Sequence, residues 1–164
     1  MINRLAVIGV GLIGGSLALS LKSKGAVNEV VGYSRSDEAR QEALSLGIID
    51  KAADSIAEAV VDADVVFVAV PMGAMASVFA EMSEHIRPEA IITDGGSAKA
   101  QVVSSAREAL GDKFKQFVPG HPIAGTEKSG PAAAFATLYE NHRIVLTPVS
   151  ETDSAATAKI KMMW

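Results

Sequence analysis

The sequence predicts an α/β fold with a doubly wound, mostly parallel sheet, on three observations. Short continuous apolar runs alternate with segments of helical spacing, as expected of strands buried on both faces by crossover helices. Of the 164 residues, 49% are hydrophobic and only 5% aromatic, a composition that suits helices packed tightly on a sheet better than a β-sandwich. The first apolar run ends in a glycine-rich turn, Gly9-Val10-Gly11-Leu12-Ile13-Gly14, that leads into a helix.

Taken in order, Leu5–Ile8 is a short buried strand, and Leu12–Lys22 is a helix with Leu12, Leu17 and Leu21 at helical spacing. Val30–Tyr33 is the next strand. The helix Asp37–Leu46 follows, with Ser36 as its N-cap and Asp37 and Glu38 beside the positive end of its dipole. Val65–Val70 is the strongest strand signal; Pro71-Met72-Gly73 ends it before a helix carrying Met75, Val78, Phe79 and Met82, read as core. Strands are expected over Ala90–Asp94, Lys115–Val118 and Arg143–Thr147, and a helix over Ala98–Leu110. Ser150-Glu151-Thr152-Asp153 resembles a capping box opening a last helix with the apolar stripe Ala156, Ile160, Met163 and Trp164. Ending on Met-Met-Trp, that helix would leave a large apolar side chain in need of partners, which predicts further chain or another subunit beside it.

Charge and composition narrow the function classes. Lys and Arg number 15 against 19 Asp and Glu, so no basic face is evident for a nucleic acid or an anionic membrane, and a small-molecule partner is expected. Cysteine is absent, which removes disulfides, thiolate catalysis and Cys-built zinc sites; no metal site is expected. No signal-peptide pattern and no apolar run of membrane-spanning length occurs, and a cytoplasmic location fits.

The glycine turn carries the first functional reading. Gly9 permits the tight turn, Gly11 lets the backbone approach a pyrophosphate, and Gly14 lets helix and strand pack closely. The helix start, with Leu12 and Ile13, offers free N–H groups and positive potential to phosphates. The placement after a strand and before a helix identifies a Rossmann-type dinucleotide-binding domain over residues 1–150. Val70 and Pro71, closing the strongest strand, are assigned to the same cofactor.

The end of the second strand bears on the choice of cofactor. An acidic residue there binds the ribose 2′-hydroxyl and repels a 2′-phosphate; this chain has Ser34, Arg35 and Ser36 instead. Two hydroxyls and a guanidinium form a clamp for a 2′-phosphate, favouring NADP, with NAD as the alternative should Asp37 swing back to the ribose or Arg35 be only a solvated surface residue.

A second constellation lies in Asp94-Gly95-Gly96-Ser97-Ala98-Lys99 and in the run from Pro119 to Gly130. Both segments follow strand-like runs, so the open-sheet rule places them on the same edge as the glycine turn. His121 precedes Pro122, which biases it towards extended backbone, and near neutral pH an imidazole can take the proton an alcohol loses as its carbon gives up hydride. Ser97 can orient that imidazole or bond the same hydroxyl; it is equally placed to cap the following helix. His85 and His142 read as surface residues.

Val7-Ile8-Gly9-Val10-Gly11-Leu12-Ile13-Gly14-Gly15-Ser16, then Asp94-Gly95-Gly96-Ser97-Ala98-Lys99, then Gly120-His121-Pro122-Ile123-Ala124-Gly125-Thr126-Glu127 together resemble the prephenate/arogenate (cyclohexadienyl) dehydrogenase family, in family order across essentially the whole chain. The resemblance implies oxidative decarboxylation in tyrosine biosynthesis with hydride transfer to NADP or NAD. It also implies that His121 deprotonates the 4-hydroxyl, that Ser97 binds hydroxyl and histidine, and that Thr126 and Glu127 shape the substrate side. It further implies that residues 151–164 start a helix leading to a C-terminal helical domain absent from this chain, and a homodimer through that domain. Ser34 stands where NAD-using members carry an acid. A β-hydroxyacid-type dehydrogenase is the nearest other enzyme, disfavoured by the His-Pro-Ile-Ala-Gly-Thr-Glu loop; a non-catalytic NADP-sensing module is the non-enzymatic alternative.

Overall fold

Alternate residues of the central strands point to opposite faces, and in this chain nearly all of them are apolar. A computed structural model describes residues 1–164. In β1 (Ile2–Ile8), Leu5 and Val7 face one core layer with Leu17, Leu21 and Ile160, while Ala6 and Ile8 face another with Phe79, Val102 and Phe117. Every one of those side chains is buried. A strand covered on both faces has no polar side to show, which explains the unbroken apolar runs.

The first crossover runs from β1 through α1 (Leu12–Ser23) to β2 (Val27–Tyr33). The second runs through α2 (Asp37–Ser45) to β3 (Lys51–Ala52), then α3 (Ile56–Val60) leads to β4 (Val65–Val68). After β4 a short 3-10 turn passes into α4 (Met75–Ser83), then β5 (Ile91–Asp94), α5 (Lys99–Leu110) and β6 (Phe117–Val118). All six strands pair in parallel, in the order β3-β2-β1-β4-β5-β6. Strand order reverses between β1 and β4, so a crevice opens beyond their carboxyl ends. α1 and α6 (Ser154–Met163) cover one face, and α3, α4 and α5 the other.

Several elements differ from the sequence reading. Arg143–Thr147 does form a strand, β8 (Arg143–Leu146), but it pairs antiparallel with β7 (Gly120–Ile123) in a separate two-stranded ribbon. Pro122 in β7 is compatible with that arrangement because the strand has only one neighbour to satisfy. β4 stops at Val68, two residues early: Gly9, at φ 97°, turns β1 away and leaves Ala69 and Val70 without a ladder partner beyond the Ala69 N–H bond to Ile8. β3 and α3 went unread. The cap of α6 is Asp153, whose Oδ1 accepts from Ala155 N at 2.7 Å and Ala156 N at 3.1 Å. Ser150 instead bonds Glu151, and Glu151 reaches Arg107.

The apolar end of α6 also finds partners inside the domain. Trp164 stacks edge-on against Phe67 at 5.7 Å and Tyr139 at 5.0 Å between ring centres. No helix is long and apolar enough to cross a membrane, and no group of three or more His, Asp or Glu side chains is placed to hold a metal ion.

Candidate active site

The glycine turn is built by contacts that separate the three glycines. A Cβ on Gly9 would collide with the Ala69 carbonyl, and one on Gly14 would collide with the Gly9 carbonyl and approach Val7 Cγ1 to 2.7 Å. Around Gly11 nothing lies within 4 Å of where a Cβ would be. The first two are therefore required by packing, whereas the space at Gly11 is left open to a ligand. Gly11 is also the N-cap of α1 and supplies no side-chain bond to it, so the leading N–H groups at Leu12, Ile13 and Gly14 remain available to an anion.

The open space belongs to a cleft of about 590 Å³ whose walls include Gly9, Gly11, Ser34, Arg35, Ser36, Val70 and Pro71. Seven of the residues assigned to the cofactor from sequence thus share one cavity. Leu12 and Gly14 are buried beneath it, and Ile13 packs its Cγ2 against Gly95.

The hydroxyl half of the expected clamp is engaged internally. Ser34 Oγ accepts the Val10 N–H at 3.0 Å, bracing the glycine turn. Ser36 Oγ accepts from Ala39 N at 3.2 Å and donates to Glu38 Oε2 at 2.8 Å, as the cap of α2. Arg35 is exposed and forms no ion pair, so it is the free cation of the cleft mouth. Asp37, the acid that would have to swing to a ribose, is held by Arg40 at 3.1 Å. Arg40 in turn donates to the Ser34 carbonyl at 2.8 Å and lies over the Tyr33 ring.

Beyond the cleft, Asp94 ends β5 fully buried. Its Oδ2 accepts from Gly96 N at 2.8 Å and from the Lys99 ammonium, and its Oδ1 accepts from Gly120 N at 3.1 Å. Lys99 also donates to the Gly120 carbonyl at 2.6 Å. Burial pushes the Asp94 carboxyl up from its ordinary range and the Lys99 ammonium down, while their mutual attraction opposes both shifts. One ion pair therefore joins the turn bearing Ser97 to the strand bearing His121.

Ser97 is exposed and does not cap α5, whose N-cap is Ala98. Neither Ser97 nor His121 spends its side chain on a protein hydrogen bond, and His121 is half-buried. Thr126 and Glu127 lie on an exposed stretch after β7, where Thr126 Oγ1 accepts the Lys128 N–H. Neither of these two touches the cleft or the Asp94–Lys99 pair. His85 and His142 are on the surface.

Sequence reasoning missed the role of Asp94 and Lys99, and of the strap that closes the region. Gly130 and Pro131 line the cleft, Phe135 N donates to buried Ser16 Oγ at 3.0 Å, and the Tyr139 hydroxyl donates to the Ile13 carbonyl at 2.6 Å. Burial pushes the Tyr139 phenol well above its ordinary range, so it stays a donor. Lys99 carried a signal: a cation in the first turn of a helix opposes the dipole, and such a residue calls for another reason.

A 3-2-1-4-5-6 parallel sheet with a glycine turn over its switch point and an open cradle at Gly11 defines a dinucleotide-binding domain of the Rossmann class. Residues 17–164 match the family model described as "Prephenate dehydrogenase, nucleotide-binding domain", and the chain belongs to that family. It is 38% identical over 162 residues to a cyclohexadienyl dehydrogenase of Zymomonas mobilis, covering 99% of this chain and 55% of that protein. It is 41% identical over 162 residues to a prephenate dehydrogenase of Bacillus subtilis, covering 98% and 43% respectively. Among solved structures, prephenate dehydrogenase from Aquifex aeolicus, in complex with hydroxyphenyl propionate and NAD+, superposes at a TM-score of 0.92 with 35% identity, over all of this chain and 57% of that one. Synechocystis arogenate dehydrogenase superposes at 0.89 with 29% identity, over 98% and 55%. The chain thus spans about half the length of the relatives it matches.

Proposed function

We propose that this chain is the cofactor-binding half of a dehydrogenase that oxidatively decarboxylates prephenate or arogenate, with NADP favoured over NAD. The observation that carries the reading is the pairing of two loops at the carboxyl edge of the sheet. They present Ser97 and His121, both free of protein hydrogen bonds, at the carboxyl edge of the sheet where the glycine turn opens its cleft, although neither residue is among the walls of that cleft.

The chain's own residues then divide the work. The glycine turn and the start of α1 hold the pyrophosphate, and Arg35 meets a 2′-phosphate at the cleft mouth. When bound, the nicotinamide supplies the hydride acceptor. His121 takes the proton of the substrate's 4-hydroxyl as the ring carbon bearing it loses hydride, and Ser97 holds that hydroxyl in line. Loss of the ring carboxylate as carbon dioxide leaves an aromatic product. Thr126 and Glu127 are assigned to the substrate side of the pocket. The support for NADP is the absence of an acid at Ser34, the free Arg35 and the engagement of Asp37 by Arg40.

The test is a steady-state assay of the intact protein, crossing prephenate and arogenate with NAD and NADP, beside His121→Asn. Reduced cofactor is expected with one of the two substrates, and the variant should lose turnover while binding cofactor nearly as well. Tight NADP binding with no turnover on either substrate would replace the enzyme with a sensor.

A further inference from the structure

Lys99 sits where local rules disfavour it. It opens α5, where the dipole repels a cation, and its side chain is only 17% exposed. Asp94, its partner, is fully buried. Two charges are taken out of water at this point, and a buried pair is on average no more stabilising than apolar residues of the same size. What the pair does have is direction. Both backbone polar atoms of Gly120, the residue before His121, are held by it: the N–H by Asp94 Oδ1 at 3.1 Å and the carbonyl by Lys99 Nζ at 2.6 Å. Asp94 Oδ2 also fixes Gly96 N at 2.8 Å, immediately before Ser97.

The fit at Gly120 is close from the other side as well. A Cβ there would lie 3.0 Å from the Asp94 carbonyl oxygen and 3.2 Å from Thr93 Oγ1. β7 is thereby pressed onto the end of β5, although it pairs only with β8 and belongs to a different sheet. Apart from that tight approach, the hydrogen bonds fixing the start of β7 to the main sheet's edge come from these two side chains. The glycine turn has separate support, from Ser34 and from the Gly9 contacts.

We propose that Lys99 is a positioning residue for His121, acting with Asp94 to set the backbone of the proton-accepting histidine against the turn that carries Ser97. This rests on the assignment of His121 as proton acceptor, and the experiment separates the two. Lys99→Met, Lys99→Arg and His121→Asn are made in the intact enzyme, and kcat, substrate KM and cofactor Kd are measured for each. Lys99→Met removes both donated bonds while keeping the length of the stem; a displacement of about 1 Å at the histidine corresponds to roughly 100-fold in rate. The expected result is a kcat lowered by about that factor, with cofactor Kd within about twofold of the parent, and partial recovery in Lys99→Arg.

Unchanged kcat in folded Lys99→Met overturns the proposal and leaves His121 in place. Loss of cofactor affinity in parallel with kcat also overturns it, because the pair would then serve only the fold. Full turnover in His121→Asn overturns the underlying assignment instead. Should Lys99→Met fail to fold, Asp94→Asn combined with Lys99→Met removes both charges together and is read by the same split.

Discussion

Gly11→Ala isolates what the open cradle is for. Gly11 has φ −112° and ψ −151°, which an alanine can adopt, and its Cβ would have no neighbour within 4 Å. Alanine is a poorer N-cap than glycine by about 0.5–1 kcal/mol, but it lowers the entropy of the unfolded chain by about 0.4–1 kcal/mol. The two nearly cancel, so Tm should stay within about 3 °C of the parent. A bound pyrophosphate, however, would meet the new methyl. Losing one charge-assisted bond from the turn costs about 1.5–3 kcal/mol, a weakening of roughly 10- to 150-fold in Kd. Gly14→Ala is the internal comparison. Its Cβ meets the Gly9 backbone, which cannot swing aside as a side chain can; about 3 kcal/mol of overpacking corresponds to a Tm fall of about 6–12 °C. Thermal melts and calorimetric titration with NAD and NADP read both quantities. If Gly11→Ala kept full affinity, or lost as much stability as Gly14→Ala, the assignment of Gly11 to a ligand would be wrong.

Three further outcomes follow from contacts elsewhere. Ser34→Asp with Arg35→Ala should weaken NADP at least tenfold more than NAD in titrations; equal losses would remove Arg35 from any 2′-phosphate contact. Tyr139→Phe deletes the bond to the Ile13 carbonyl and should cost about 1 kcal/mol, or about 2–4 °C in Tm. The cost should be the same at pH 6 and pH 9, because burial keeps the phenol protonated across that range. Glu29 is held below its ordinary 4.5 chiefly by its bond from Lys51, then by Arg4, with partial burial opposing. A depressed folded value means that stability is present above pH 4.5 and is lost as pH falls through the lower folded value. Glu29→Gln should therefore melt lower than the parent at pH 7 by the equivalent of about 1 kcal/mol or less, and denaturant midpoints should converge as the pH falls further below 4.5.

The parallel core was legible because the inner stretches of its central strands lie between two helical layers and have to be apolar. Residues such as Val65, Val66, Phe67 and Val68 signal that condition without reference to anything distant. β3 could not be read, since two residues carry no periodicity, and β7 was hidden by Pro122. α3 had a readable start: Ser55 Oγ accepts the Glu58 N–H at 3.1 Å and Glu58 accepts Asp54 N at 2.8 Å, a Ser-x-x-Glu signature ahead of a five-residue helix. Of the site, the glycine turn was visible because its glycines follow local geometry. The engagement of Ser34 by Val10 and the hold of Asp94 and Lys99 on Gly120 depend on contacts 21 to 26 residues apart in sequence, and no local pattern encodes which partner a serine or lysine will find.

The strap from β7 to Tyr139 is anchored at two distant points. At one end Gly120 is clamped against β5, and at the other Ala134, Phe135 and Tyr139 are seated on α1. Between them, Gly125 to Ser129 is exposed. Length can therefore vary in the middle at little thermodynamic expense, since doubling a flexible loop costs only about 0.6 kcal/mol. An insertion there would bulge outward while both moorings kept their registration, so Thr126 and Glu127 lie in the stretch of this region most open to remodelling.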